Sequence, residues 1–499
     1  MKKYRLLMLT TLVISGCSIC YELIISAVSS YLLGDSTLQY SITIGLYMSA
    51  MGLGSFISKY MKKNLFDWFV LIEIGVGVMG GISSLVLFLA NLYLDSYQLV
   101  MYGEIIIIGT LVGVEIPLLT RIIEGDAENL RITISSIFSF DYIGGLLGSI
   151  AFPLLLLPGL GYFATAFLTG SMNILAAILI VFKYAERIKK PVVYKCATAL
   201  LFALMMCGAL FSENISSYIE GGLYRDRVIL SEQTPYQHIV LTRHKDDLRL
   251  FIDGNVQFCS LDEYRYHEAL VHIPMSQAAK KDKVLVLGGG DGMAVRELLK
   301  YEETRITLVD LDPEMIRICS ENKIIAELNE NSLKSDRLTI INDDAYRYLE
   351  ESGETYDVII VDLPDPNNES LNKLYTNIFY RLCKNSLTED GILAVQSTSP
   401  YYATKAFWCI GETLESEGFF VKPYHLQVPA FGDWGFHLAS KREIGDNYHI
   451  TVDTKYLSED NIDALFSFGK DEMAEDVGIN SLSRPVLIQY YSEAVRNWE

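Results

Sequence analysis

The chain has 499 residues, half of them hydrophobic, and a formal net charge of −20. That acidity argues against nucleic acid as a partner, because phosphate contacts need a basic face; it suits a cationic ligand, or solubility alone. Eight cysteines lack the spacing of a disulfide framework or a zinc site, so no metal is expected, and the single C-x-x-C, Cys17 to Cys20, lies inside an apolar run without βαβ context.

From Leu6 to about Phe211, apolar runs alternate with short polar breaks. Runs at 6–33, 39–60, 67–91, 98–121, 133–157, 159–182 and 193–212 approach the roughly 20 residues needed to cross the hydrocarbon core. They predict a membrane domain of about seven transmembrane helices over residues 1–212. Ile14-Ser15-Gly16-Cys17 imitates a lipoprotein signal, but the apolar pattern continues to Leu33, longer than a signal core, so it reads as the first span. Basic residues gather at Lys2, Lys3 and Arg5, at Lys59, Lys62 and Lys63, at Arg121 and Arg131, and from Lys183 to Lys190. The alternate connections near Asp35, Asp95 and Pro158 have none, which puts the N-terminus in the cytoplasm. Seven crossings would leave the rest of the chain outside, and six would leave it inside. The expectation is a multi-pass protein of the cell membrane with the lipid bilayer as a partner. Glu22, Glu73, Glu104, Glu115 and Asp141 lie within or at the edges of the spans, where an ionised group costs about 2.5–3.5 kcal/mol on insertion scales. A cation-handling role stands there beside a purely structural one.

Past Ser212 the pattern becomes globular. Arg227–Leu230, His238–Thr242, Leu248–Ile252 and Val256–Phe258 alternate apolar and polar residues and are joined by turn residues such as Asp253-Gly254-Asn255. They predict a small antiparallel sheet over 213–280, acting as a lid or an oligomerisation surface, so a homo-oligomer is allowed. From 281 to 499 strands alternate with helices. Val284–Leu287, Ile306–Val309, Leu338–Ile341, Val358–Val361 and Ile392–Val395 are near-continuous apolar runs, as in a parallel sheet buried on both faces. The fold class is therefore a multi-span helical domain followed by a small antiparallel sheet and a Rossmann-like, doubly wound α/β domain. The ligand of such a domain sits at the C-terminal ends of the strands.

Those ends carry acids: Asp291, Asp310, Asp344 and Asp362 after four successive strands, with Asp312, Asp343 and Asp365 close by. A glycine loop, V-L-V-L-G-G-G-D-G at 284–292, followed about 20 positions on by Asp310, suits an adenosine ribose. The fixed charge of Asp291 would repel the pyrophosphate of a dinucleotide and the carboxylate of S-adenosylmethionine. Decarboxylated S-adenosylmethionine offers an ammonium and a sulfonium instead, and a carboxylate then contributes about 1.5–3 kcal/mol through charge-assisted hydrogen bonds.

The glycine loop, L-F-I-D-G-N-V-Q-F-C-S-L-D-E-Y-R-Y-H-E-A-L-V-H-I-P and V-I-I-V-D-L-P-D-P together resemble the spermidine synthase (polyamine aminopropyltransferase) family, from about Leu223 to Ser440. The hydrophobic first half and the late segment Y-H-L-Q-V-P-A-F-G-D-W-G-F resemble its membrane-bound branch. The resemblance implies transfer of the aminopropyl group of decarboxylated S-adenosylmethionine to a diamine, putrescine first, yielding spermidine and methylthioadenosine with no cofactor. Asp362 would be the general base, and Tyr266, His267, Asp291 and Asp365 would meet the polyamine. Gln237, Gln257, Asp310, Asp344 and Ala345 would hold the thioadenosine, with Tyr375 completing the pocket. Trp434 and Tyr424 stand open between pocket wall and packing. Three departures stand out: Asp310 where glutamate is common, Ala345 where glycine is common, and Leu363-Pro364 between the two acids, which borders the acceptor site. The rival readings are a methyltransferase on the same fold and a membrane polyamine transporter or sensor whose soluble domain does not turn over.

Overall fold

The computed structural model describes residues 5–33, 36–94, 96–124, 130–224 and 226–498. Lys2, Lys3, Asp35 and Asp95 lie outside the described residues, as do the side chains of Arg5 and Arg131. The chain divides into two compact units, Met1–Val228 and Ile229–Glu499.

Up to residue 224 the described residues of the first unit are mainly helical: Arg5–Leu33, Ser36–Ser58, Leu65–Tyr93, Tyr97–Glu124, Leu130–Ala151, Leu157–Lys183, Pro191–Leu210 and Ser212–Leu223. Among the described residues, six stretches are long and apolar enough to cross a membrane, where the hydropathy pattern counts seven. The difference lies in one stretch, Ile134–Lys183, which spans 50 residues. Unbroken, it would reach about 75 Å, more than twice a hydrocarbon core of about 30 Å. It is broken. A π-helical turn at Phe152–Leu156 is followed by Gly161 with φ 70°, and both arms pack against the helix Arg5–Leu33.

Of the acids of the spans, Glu73, Glu104 and Glu115 are buried, while Glu22 and Asp141 are half-buried. Glu73 accepts a hydrogen bond from Asn173 Nδ2 at 3.0 Å, and Asn173 Oδ1 accepts one from the Tyr21 hydroxyl at 3.2 Å. Glu104 is buried, and neither of its carboxyl oxygens has a hydrogen-bond partner among the described residues. The helix Ser212–Leu223 belongs to this unit by packing, since Ile219 is buried in its core. Hydropathy falls at residue 212, but packing continues past it, which is why the compact boundary comes later.

In the second unit, β1 (Arg227–Gln233), β2 (His238–His244), β3 (Asp247–Ile252) and β4 (Asn255–Cys259) form an antiparallel sheet in sequence order. Asp253 and Gly254, both at positive φ, make the two-residue turn between β3 and β4, the geometry that right-twisted hairpins favour. The strands β5 (Lys283–Gly288), β6 (Arg305–Asp310), β7 (Leu338–Asn342), β8 (Tyr356–Asp362), β9 (Leu387–Gln396), β10 (Phe420–Val428) and β11 (Gly432–Ser440) form the larger sheet. Their order is β10-β11-β9-β8-β5-β6-β7, with the five strands β5 to β9 parallel and the last two antiparallel. The motif segment from Tyr424 to Phe436 is thus a strand, a turn and a second strand.

Residues alternate between the two covered faces of this sheet. Val284, Val286, Ile306, Leu308, Val358 and Ile360 enter one apolar cluster, while Leu285, Leu287, Val309, Ile359 and Val361 enter the other. Ile239, Leu241, Leu250 and Phe258 of the small sheet share the first cluster, so both sheets are built on one core. The chain leaves β5 for β6 and β7 on one side and returns to β8 on the other. That reversal opens the crevice between β5 and β8 where open α/β sheets bind ligands.

Candidate active site

Parallel pairing sets Gly288, the last residue of β5, directly opposite Asp362, the last of β8. The chain must then turn sharply, and Gly288 and Gly289 do so at φ 82° and 70°. A side chain is excluded at Gly288 and strained at Gly289. A Cβ on Gly288 would stand 2.1 Å from the Asp362 carbonyl oxygen, and one on Gly289 would stand 3.0 Å from Asp362 Oδ2. The glycine loop therefore lies directly on the Asp362 carboxylate.

The helix Glu263–Gln277 brings Tyr266 to the other side of that carboxylate, its hydroxyl donating to Asp362 Oδ1 at 2.6 Å. Burial pushes Asp362 up to about 6; Asp291 adds to the rise, while His267 and the Tyr266 hydroxyl oppose it. Burial pushes the Tyr266 phenol well up too, so Tyr266 remains the donor. Its ring is walled by Phe431, Trp434 and Phe436, with centroids 6.1, 6.5 and 5.2 Å away. Trp434 packs beside the Tyr266 ring. Tyr424 is packing: it is fully buried, stacks on Phe436, and donates to the Ala269 carbonyl.

His267 faces away from open solvent, 2% exposed. Its Nδ1 donates to Glu263 Oε2 at 2.8 Å, and Glu263 in turn receives both terminal nitrogens of Arg296 at 2.9 Å. Burial opposes a charge on His267, yet the hydrogen bond and charge of Glu263, then Asp291 and Asp362, push it up to about 9. The imidazolium is a fixed positive charge behind the two aspartates. Glu263 lies inside the L-D-E-Y-R-Y-H-E motif and Arg296 just past the glycine loop, but neither had a role assigned from the sequence. Their signal was weak, an acid one turn before the histidine and an arginine in the helix after the glycine loop.

Asp291 turns back on its own helix start, Oδ1 accepting from Met293 N–H at 2.9 Å. Asp310, ending β6, accepts from Gly290 N–H at 3.0 Å and Asp312 N–H at 2.9 Å. Burial pushes it up to about 6, against those two hydrogen bonds. Gln237 is brought to the same strand end by a residue that sequence reasoning left without a role. Asp312 Oδ2 accepts from Gln237 Nε2 at 2.9 Å and from the Thr234 hydroxyl at 2.8 Å, while Oδ1 caps the helix Pro313–Glu321.

Asp344 caps the helix Ala345–Glu351 through the N–H groups of Tyr346 and Arg347 and is ion-paired with Lys373; Ala345 is the first, buried residue of that helix. Burial would raise Asp344, but Lys373 and the N–H groups of Arg347 and Tyr346 together outweigh it and the carboxyl is lowered. Gln257 is not joined to the acids by a hydrogen bond among the described residues; its amide donates to Asn255 O in its own hairpin.

Beyond Leu363 and Pro364, Asp365 is raised by burial to about 6, against hydrogen bonds from Tyr491, Gln396 and Thr398. The Tyr375 hydroxyl donates to the carbonyls of Leu363 and Pro364, and Gln396 Nε2 donates to Leu363 O at 2.6 Å and to the Tyr375 hydroxyl oxygen at 2.7 Å. The bulky Leu363-Pro364 link is thereby pinned through its backbone. Elsewhere, His425 lies beside Asp433 and Glu472. Its Nδ1 meets Asp433 and its Nε2 meets Ser467 O, so an imidazole donating at both nitrogens has no lone pair for a metal.

The Spermine/spermidine synthase domain matches residues 263–449. A polyamine aminopropyltransferase of Leptospira interrogans is 42% identical over 493 residues, covering 99% of this chain and 98% of that one. Another, of Oceanobacillus iheyensis, is 40% identical over 97% of this chain and 96% of its own. Spermidine synthase from Thermotoga maritima aligns with 50% of this chain and 87% of its own, at 27% identity and a TM-score of 0.45. The chain belongs to the polyamine aminopropyltransferase (spermidine synthase) family, transferases whose co-substrate is decarboxylated S-adenosylmethionine.

Proposed function

We propose that the protein transfers the aminopropyl group to putrescine, releasing spermidine and methylthioadenosine, with Asp362 as general base. The observation that carries this reading is the Asp362 carboxylate itself: raised to about 6, held by Tyr266 at 2.6 Å and overlain by the glycine loop. An amine with a pKa near 10 (about that of Lys) is no nucleophile until it gives up a proton, and a raised carboxylate beside it takes that proton better than an ordinary one. The amine nitrogen then bonds to the propyl CH₂ next to sulfur. The carbon–sulfur bond breaks, its electron pair stays on sulfur, and neutral methylthioadenosine leaves. Aligning nitrogen, carbon and sulfur supplies much of the acceleration.

In this reading Asp291 and Asp365 receive the ammonium groups, Asp310 the ribose, and Gln237 the thioadenosine held at the same edge. Asp344, already paired with Lys373, meets the adenine through the start of its helix. His267 keeps the facing aspartates ionised in the presence of one another. The helices of the first unit hold the protein in the cell membrane as a multi-pass anchor, supported by their length and hydropathy.

The test is incubation of the detergent-purified full chain with decarboxylated S-adenosylmethionine and putrescine, cadaverine, agmatine or spermidine, with chromatography for methylthioadenosine. Putrescine should give the highest kcat/KM. Methyl transfer from S-adenosylmethionine, with no methylthioadenosine from the decarboxylated donor, would favour the methyltransferase reading instead.

A further inference from the structure

The Asp365 carboxylate is held from three directions. Oδ1 accepts from Gln396 Nε2 at 3.3 Å, and Oδ2 accepts from the Thr398 hydroxyl at 3.4 Å and the Tyr491 hydroxyl at 3.0 Å. Gln396 and Thr398 belong to the end of β9 and the loop after it. Tyr491 comes from somewhere else: the helix Val486–Trp498, beyond the segment 263–449 matched by the synthase domain. Of the three contacts it is the shortest, and the only one of the three set by the C-terminus.

That helix is fixed at its start. Val486 and Leu487 are buried in the core, and Asn480 just before it is fully buried. Asn480 Nδ2 donates to Asn372 Oδ1 and to Tyr375 O, both at 3.0 Å, while its Oδ1 accepts from Leu487 N–H at 3.4 Å. One side chain therefore locks the helix to the loop carrying Tyr375. Thr398 sits at φ 56°, a conformation that a β-branched residue adopts only where its surroundings impose it.

We propose that Tyr491 is a positioning residue, holding Asp365 in the orientation that receives the distal ammonium of the acceptor. The inference rests on the reading that Asp365 binds that ammonium. A carboxylate already fixed by the phenol loses less rotamer freedom when the amine arrives, so the benefit falls on acceptor binding rather than on the chemical step.

The experiment is steady-state kinetics of the full chain and of Tyr491→Phe and Asp365→Asn, each with putrescine and with butylamine, which has no second ammonium. Tyr491→Phe keeps the ring and loses one hydrogen bond to a charged group, so the KM for putrescine should rise about tenfold. Its kcat, its donor KM and its KM for butylamine should each stay within about threefold. Asp365→Asn should raise the putrescine KM further and likewise spare butylamine. If Asp365→Asn is selective for putrescine and Tyr491→Phe changes neither KM, the inference fails while the reading of Asp365 stands. Equal losses with both amines in Tyr491→Phe would mark Tyr491 as merely structural and overturn the inference. If Asp365→Asn itself shows no selectivity, the underlying reading fails.

Discussion

Asn at position 362 is the most direct perturbation of the proposed chemistry. The amide is nearly isosteric with the carboxylate, and its oxygen can still accept from the Tyr266 hydroxyl, now at 2.6 Å. The oxygen facing Gly289, 3.0 Å from where a Cβ would stand, can be replaced by NH₂ without new bulk. Packing is therefore kept and only the proton acceptor is lost. A positioned general base contributes about 10²–10⁴-fold, or about 2.7–5.4 kcal/mol of barrier. The pH dependence gives an independent handle. Because the folded value of Asp362 is raised to about 6, its neutral form persists to a higher pH than in an exposed aspartate. The wild-type rate should thus fall about tenfold per unit below pH 6, whereas the residual rate of Asp362→Asn should lack that limb. Single-turnover formation of methylthioadenosine measures the step, and calorimetry with methylthioadenosine should give a Kd within about threefold of wild type. An Asp362→Asn rate within tenfold of wild type, or a wild-type limb near pH 4, would refute the assignment of the base.

Two further outcomes are expected. Asp291→Asn should narrow the preference for decarboxylated over carboxylated S-adenosylmethionine by about 10- to 100-fold, read as competing Kd values in calorimetry, since a charged hydrogen bond is worth about 1.5–3 kcal/mol; equal affinities already in the wild type would remove the rationale. A chain beginning at Arg227, the start of β1 and past the helix that packs into the first unit, should be soluble and form methylthioadenosine within about tenfold of the full-length rate, about 1.4 kcal/mol of barrier, because the α/β core and small sheet form one compact unit; a folded but inert product would assign the helices a part in the chemistry.

The α/β half was legible because a strand buried on both faces must be apolar at every position, and Val284–Leu287 or Val358–Val361 say so without help. The acids were legible for a related reason: four strand ends in succession carry a carboxylate, which packing alone does not ask for. What stayed hidden were partners distant in sequence. Arg296 behind Glu263, Asp312 beneath Gln237 and Tyr491 against Asp365 are ordinary surface-type residues until the fold brings them together. The membrane half was legible in its spans and in this joint: the connection read near Pro158 falls between the π turn Phe152–Leu156 and Gly161 at φ 70°. The strands β10 and β11 read as a motif and not as strands, because their polar and aromatic content masks the alternation.

Asp312 has a consequence for how the enzyme comes into being. Its two oxygens cap a helix of the α/β domain and, across 78 and 75 positions of chain, hold Thr234 and Gln237 of the turn before β2. Contacts that close such long loops form late, because the entropy of closure is lost before the bond repays it. The small sheet emerges from the ribosome first, yet the two hydrogen bonds from its turn to Asp312 wait until β6 and the helix after it are made. The last hydrogen bonds to form should be those that Thr234 and Gln237 donate to Asp312, and the amides of this turn should be among the first to exchange with deuterium when the folded enzyme opens locally.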